Sequence, residues 1–184
     1  VDQVYRTFLE NTWEDALDMN SRSDVVRLEP ELHSPPARYR CAFAVPYLRK
    51  LPSGTVEIAS GPVMTFVNFP PDYLYSTDPH LYMRIAAMLT PDFLHPNVGS
   101  YGAICLGAAF TGGTPLNALV WELYEIVSYR NRNVDERNAL TPEACRLIRA
   151  HELLLDNLAA PPLFRKASRL KVQVRPAEGV RHGA

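Results

Sequence analysis

Between Pro91 and Gly107 the chain cannot run as a regular helix, and whatever lies on either side has to accommodate that interruption. Pro91 and Pro96 lack the amide hydrogens a helix needs, while Gly99, Ser100 and Gly102 permit a tight, irregular path through positive φ. The segment therefore reads as a loop, and its last residues present a thiol, Cys105. Gly107, Ala108 and Ala109 follow it with side chains too small to wall it off from a bulky partner, which favours an open nucleophile.

The sequence before the loop carries one helical and several strand patterns. Over residues 4–17, Val4, Tyr5, Phe8, Leu9, Trp13, Ala16 and Leu17 share one helical face, opposite Arg6, Glu10, Glu14 and Asp18, so an amphipathic first helix is expected. Residues 21–37 mix charge with Pro30, Pro35 and Pro36 without a sustained period and read as a connector, with a short helical continuation at Val25 to Leu28. Tyr39, Cys41, Phe43 and Val45 alternate as a strand. A turn at Leu51-Pro52-Ser53-Gly54 precedes a second strand at Thr55 to Ile58, and Val63 to Phe69 forms a third. Short turns between them predict an antiparallel meander, to which Tyr82 to Leu89 adds a fourth strand after a loop holding Tyr75, Asp78 and His80. In that reading Cys41 packs in the core and His80 is a solvated loop residue.

Beyond the loop the pattern turns helical. Thr114-Pro115 fits an N-cap followed by proline at the first helical position, and Leu116, Leu119, Val120, Leu123 and Val127 then recur at helical spacing as far as Tyr129. After a polar loop at residues 130–137, Thr141-Pro142-Glu143 opens a further helix that holds Ala144, Leu147, Ile148, His151, Leu154, Leu155 and Leu158 inside, with Cys145 beside the stripe. Pro161-Pro162 stops it. Leu170 to Val174 reads as a strand or docking segment before a flexible end at residues 176–184. The resulting class is α+β: an N-terminal helix, a four-stranded antiparallel meander, the loop, and C-terminal helices.

Length and charge narrow the functional classes. At 184 residues one domain, spanning 1–175, can bury a core without disulfide or metal staples. A formal charge of -1 offers no electrostatic case for nucleic acid or an anionic membrane, which points to protein partners. No apolar run approaches the roughly eighteen residues a bilayer span requires. The first residues carry Asp2, Glu10 and Glu14 rather than a basic and then apolar leader. Three cysteines at distant positions suit free thiols in a reducing compartment, so a cytoplasmic setting is expected, and they lack the sequence proximity of a zinc site.

His95-Pro96-Asn97, followed by Gly102, Ile104, Cys105 and Leu106, resembles the active-site motif of ubiquitin-conjugating enzymes, in which the cysteine stands eight residues after the Asn. Phe69-Pro70-Pro71-Asp72-Tyr73 is similar to the element that precedes the motif, and Pro115 falls where the family has the proline of its W-S-P. Gly113 replaces the tryptophan of that W-S-P, Gly107 the acidic residue two after the cysteine, and Leu74 a proline, with extra residues before His95. The resemblance therefore implies a divergent member, similar to the prokaryotic branch found beside activating enzymes and ubiquitin-like proteins in antiphage defence operons.

What the resemblance implies can be stated residue by residue. Cys105 accepts a ubiquitin-like protein from an activating enzyme as a thioester and passes it to a lysine of a target protein; the domain itself holds no cofactor, ATP being used by the activating enzyme. Asn97 either donates to the oxyanion or braces the loop. His95 and Pro96 support the site, and Tyr101 borders the acceptor channel. Counting back from Pro142-Glu143 places the gate residue at Asn138, with Asp135 favoured for its charge. Residues 4–17 dock the activating enzyme, through a face that is mostly acidic here. Competing readings are a scaffold variant of the same fold that binds ubiquitin-like proteins without catalysis, and a cysteine hydrolase pairing Cys105 with His95 or His151.

Overall fold

The structure is a computed structural model that describes residues 2–31, 33–78, 80–107, 110–132 and 135–165. The expected segment at 170–174 and the end at 176–184 lie outside the described residues. Helix α1 spans Gln3–Arg22; the Asp2 side chain starts it by accepting the Val4 amide at 3.0 Å. Tyr5, Leu9, Thr12, Ala16 and Met19 are buried at the alternating three- and four-residue spacing of one helical stripe, whereas Val4 and Leu17 are exposed. The helix stops at Ser23, which turns extended and accepts the amides of Val25 and Val26 on its hydroxyl, at 3.1 Å each.

That stop redirects the chain into a strand where a connector and a helical continuation had been expected. β1 (Val26–Pro30) buries Val26 and Leu28 and exposes Arg27 and Glu29. As an edge strand it has unpaired peptide groups, and α1 supplies a partner: the Asn20 amide donates to the Leu28 carbonyl at 2.9 Å and accepts the Leu28 N–H at 2.8 Å. The short alternation of this segment was masked by its charged and proline residues.

β2 (Arg38–Ala44), β5 (Pro62–Asn68) and β6 (Ala86–Met88) complete a four-stranded antiparallel sheet in the order β1-β2-β5-β6. The register stacks Leu28, Cys41, Thr65 and Met88 across the four strands in one row. Cys41 is fully buried in that row, and burial pushes its thiol up to about 12, consistent with packing and inert at neutral pH. Between β2 and β5, β3 (Tyr47–Lys50) and β4 (Val56–Ala59) form a separate two-stranded sheet. The strand expected at Thr55 to Ile58 thus pairs with β3 and does not join the main sheet. The strand expected from Tyr82 begins instead as a single helical turn, α2 (Tyr82–Ile85), before extending into β6.

α3 (Leu116–Val127) buries Leu116, Leu119, Val120, Leu123, Tyr124, Ile126 and Val127 and packs against α1. Pro115 is its N-cap, one residue later than the sequence suggested, because Thr114 spends its hydroxyl on the Thr111 carbonyl at 2.7 Å. The last helical pattern divides at His151, whose backbone leaves the helical region (φ -121, ψ 32), into α4 (Pro142–Ala150) and α5 (Glu152–Asp156). His151 is half-buried at that break. Among the described residues no helix is long and apolar enough to cross a membrane.

Candidate active site around Cys105

The loop expected from its prolines and glycines is a closed, hydrogen-bonded structure hung on the edge of the sheet. Val98 and Ile104 form an antiparallel bridge, the Gly99 amide donates to the Ala103 carbonyl at 2.8 Å, and a second bridge joins Ala103 to Ala87 of β6. Between them Ser100–Gly102 makes one 3-10 turn in which Tyr101 (φ 61) and Gly102 (φ 78) both take left-handed conformations. At Gly102 the conformation and the space agree: a Cβ would stand 2.3 Å from the Met88 carbonyl oxygen, a backbone atom that cannot swing away. Gly102→Ala is therefore expected to destabilise the fold by on the order of 3 kcal/mol. A thermal melt within a degree or two of wild type would show that the loop can leave β6 at little cost.

His95-Pro96-Asn97 clamps this loop through main-chain bonds. The Asn97 N–H donates to His95 Nδ1 at 3.0 Å, and the Asn97 carbonyl accepts the Cys105 N–H at 2.8 Å. Cys105 thus has its backbone fixed directly to Asn97, and the Asn97 side chain is buried. The start of α4 locks the other side: Thr141 donates its N–H to the Pro96 carbonyl (3.2 Å) and its hydroxyl to the Val98 carbonyl (2.7 Å).

His95 is 1% exposed and stacked on Phe93, with Tyr129 against it at 4.9 Å between ring centroids. Burial, with the Arg132 guanidinium nearby, lowers its pKa to about 3, so the ring is neutral at physiological pH. Because Nδ1 accepts from Asn97, the proton sits on Nε2, which meets no hydrogen-bond partner among the described residues. A ring so enclosed braces the loop; it has no path to a reacting thiol. Tyr129 holds the same cluster, its hydroxyl accepting the Leu48 N–H at 3.0 Å and donating to the Leu94 carbonyl at 2.7 Å. Sequence patterning marked Tyr129 only as a helix end, where its backbone takes a positive φ of 60°.

Cys105 is half-exposed and opens onto a groove of about 470 Å³, while Cys41 and Cys145 are buried. Gly107 and Phe110 continue its own wall. Ser76, Thr77, Asp78, Leu81 and Tyr82 line the groove as well, so the extra residues before His95 supply half of its lining. Nothing in the hydrophobic pattern of that segment marked it as part of a site.

The remaining expected residues are dispersed. Tyr101 is fully exposed and borders a different hollow, shared with His95 and Thr141. Asp135 is engaged by Arg137, through Nε at 3.0 Å and Nη2 at 2.8 Å, and by the Asn138 amide at 3.3 Å. The Arg137 guanidinium holds its carboxyl below the usual carboxylate range. Neither Asp135 nor Asn138 is among the described residues that wall the Cys105 groove; the loop residue that comes closest in this sense is Asn131, which lines a smaller hollow of about 290 Å³ with Leu106 and Gly107.

No protein-family model matches the sequence, and no curated protein matches it. Solved structures do match the fold. A ubiquitin conjugating enzyme domain from Toxoplasma gondii superposes with a TM-score of 0.52 at 16% identity, covering 82% of this chain and 91% of that one. A Plasmodium yoelii protein assigned as a ubiquitin conjugating enzyme does so with a TM-score of 0.52 at 13% identity, covering 87% and 92%. The chain therefore has the fold of ubiquitin-conjugating enzymes: N-terminal helix, antiparallel sheet, C-terminal helices.

Proposed function

We propose that this chain is a ubiquitin-conjugating-type acyl transferase, in which Cys105 accepts the C-terminal acyl group of a ubiquitin-like protein from an activating enzyme and passes it to a lysine amine of a target. The observation that carries the reading is the position of Cys105: a half-exposed thiol at an open groove, its amide fixed to Asn97, in a chain whose other cysteines are buried. The shared fold and the resemblance of residues 95–106 to the family's motif support it. Fold likeness alone would not, because one fold hosts catalytic and non-catalytic members.

The chemistry asks for two things. The thiol must react without a strong base that would also activate water against the thioester, and cysteine is the side-chain nucleophile that depends least on such a base. The neutral, enclosed His95 fits that requirement. The tetrahedral intermediate must also be stabilised, and Asn97 is assigned as its amide donor. Two bonds that brace the loop come from the Asn97 main chain, and Asn97→Ala keeps both. Charging of Cys105 should then be nearly unchanged and discharge to an amine about a hundredfold slower. Discharge at the wild-type rate would instead leave Asn97 as a brace.

The departures at Leu74, Gly107 and Gly113 support a place in the prokaryotic branch, with antiviral defence in the cytoplasm as the setting. The exposed side of α1, carrying Arg6, Glu10 and Glu14, is assigned to the activating enzyme. Incubation with ATP, the cognate activating enzyme and its ubiquitin-like protein tests the whole reading: a reductant-sensitive adduct supports it, and stable complex formation without any adduct would support the scaffold alternative.

A further inference from the structure

We propose that Asp78 is the residue that receives the acceptor at the Cys105 groove, selecting a protonated primary amine such as a lysine side chain and taking its proton; the proposal rests on the acyl-transfer reading above. Among the described residues that line the groove, Asp78 alone carries a formal charge at neutral pH, and it lines the groove together with Cys105. A carboxylate beside the thioester attracts a cationic nucleophile and gives its proton somewhere to go.

Local geometry holds the carboxylate for that task. Asp78 Oδ1 accepts the His80 N–H at 2.8 Å, the Asp78 carbonyl accepts the Leu81 N–H at 3.1 Å, and its own amide donates to the Ser76 hydroxyl at 3.3 Å. Oδ2 lies 3.9 Å from Arg84, but that guanidinium is already bound to both Asp72 oxygens, at 2.9 and 3.1 Å. The Asp78 side chain is 39% exposed, open to a cation arriving from solvent. Gly107, two residues past the cysteine, has no side chain, and the Asp135 carboxylate is held by Arg137.

In the step, the ammonium gives one proton to the Asp78 carboxylate and the freed nitrogen lone pair attacks the thioester carbonyl carbon. The C–N bond forms, the C–S bond breaks with its electron pair on the Cys105 sulfur, and the second nitrogen proton passes to that thiolate. Asp78 then returns its proton to water, leaving amide, thiol and one released proton.

The test uses the full chain acylated on Cys105 by exchange with a glycine-terminated peptide mercaptoethanesulfonate thioester, and follows single-turnover discharge by intact mass. Free lysine is one nucleophile. Hydroxylamine, uncharged at neutral pH, is the other. Asp78→Asn keeps the Oδ1 acceptor for His80 while removing the charge, and should discharge to lysine about a hundredfold more slowly but to hydroxylamine within about twofold of wild type. Asp78→Glu should recover most of the lysine rate. Unchanged lysine discharge in Asp78→Asn overturns the proposal, and so does equal slowing with both nucleophiles, which would mark a purely structural role. Wild-type protein that takes up no acyl group from the probe would contradict the acyl-transfer reading itself, and the Asp78 assignment with it.

Discussion

Cys105→Ala should abolish the covalent adduct with the ubiquitin-like protein, and Cys105→Ser should replace it with a slower-forming adduct that survives reductant. A serine oxygen can carry the same acyl group, but as an ester, which thiols do not readily cleave, and its hydroxyl is a far weaker nucleophile at neutral pH than a thiol. The other two cysteines give this experiment its clarity. Cys41 lies in the cross-strand row beneath the sheet with its thiol pushed up to about 12, and burial raises Cys145 on α4 as well. Neither should take over when Cys105 is removed. Gels run with and without reductant read the outcome directly. An adduct of wild-type yield in Cys105→Ala would mean that another residue carries the acyl group.

Acid should unfold the protein earlier than its carboxylates alone would require, because of His95. In the folded state the ring stays neutral down to about pH 3, whereas in the unfolded chain it takes a proton near pH 6.5. Between those values the unfolded state binds one proton more than the native state, so stability is fully present above about pH 6.5 and falls as pH drops, by about 1.4 kcal/mol per pH unit at most. From pH 7 to pH 5 this amounts to about 2 kcal/mol, well before the carboxylates lowered by their arginine or lysine partners begin to contribute. Those carboxylates, Asp24, Asp72, Asp135, Glu136 and Glu143, lose their stabilising charge only at lower pH. Urea melts at pH 7 and 5 measure the difference. His95→Gln, which cannot take up a proton, should be less stable than wild type at pH 7 but lose little more on acidification; an equal loss in the variant would place the acid sensitivity elsewhere.

The readability of this chain varied with the kind of signal each segment carries. α1 and α3 were legible because their apolar stripes repeat at helical spacing over many residues, and β2 and β5 because alternation persists along each. β1 was not. Its five residues include Arg27, Glu29 and Pro30, and the bonds that make it a strand come from β2 and from Asn20 on α1, neither of which a local pattern registers. The same limit hid the helical turn Tyr82–Ile85 and the division at His151. At the site, residues 95–105 were readable from their prolines, glycines and spacing. The lining residues 76–78, 81 and 82 were not, because a groove is made by segments far apart in sequence. Asp135 was chosen for its charge, and the structure shows that charge engaged within its own loop by Arg137. A sequence lists charges without listing their partners, and Asp78, passed over as a loop residue, lines the groove that Asp135 does not.

The central claim is that one sulfur, at position 105, carries a protein's C-terminus as a thioester. Wild-type protein charged with ATP, its activating enzyme and its ubiquitin-like protein can be digested under mildly acidic, reductant-free conditions and its peptides mapped by mass. The expected result is the acyl modification on the peptide containing Cys105, removed by hydroxylamine, with the peptides of Cys41 and Cys145 unmodified. A modification confined to either of those two peptides, or none at all despite activating-enzyme turnover, would contradict the account.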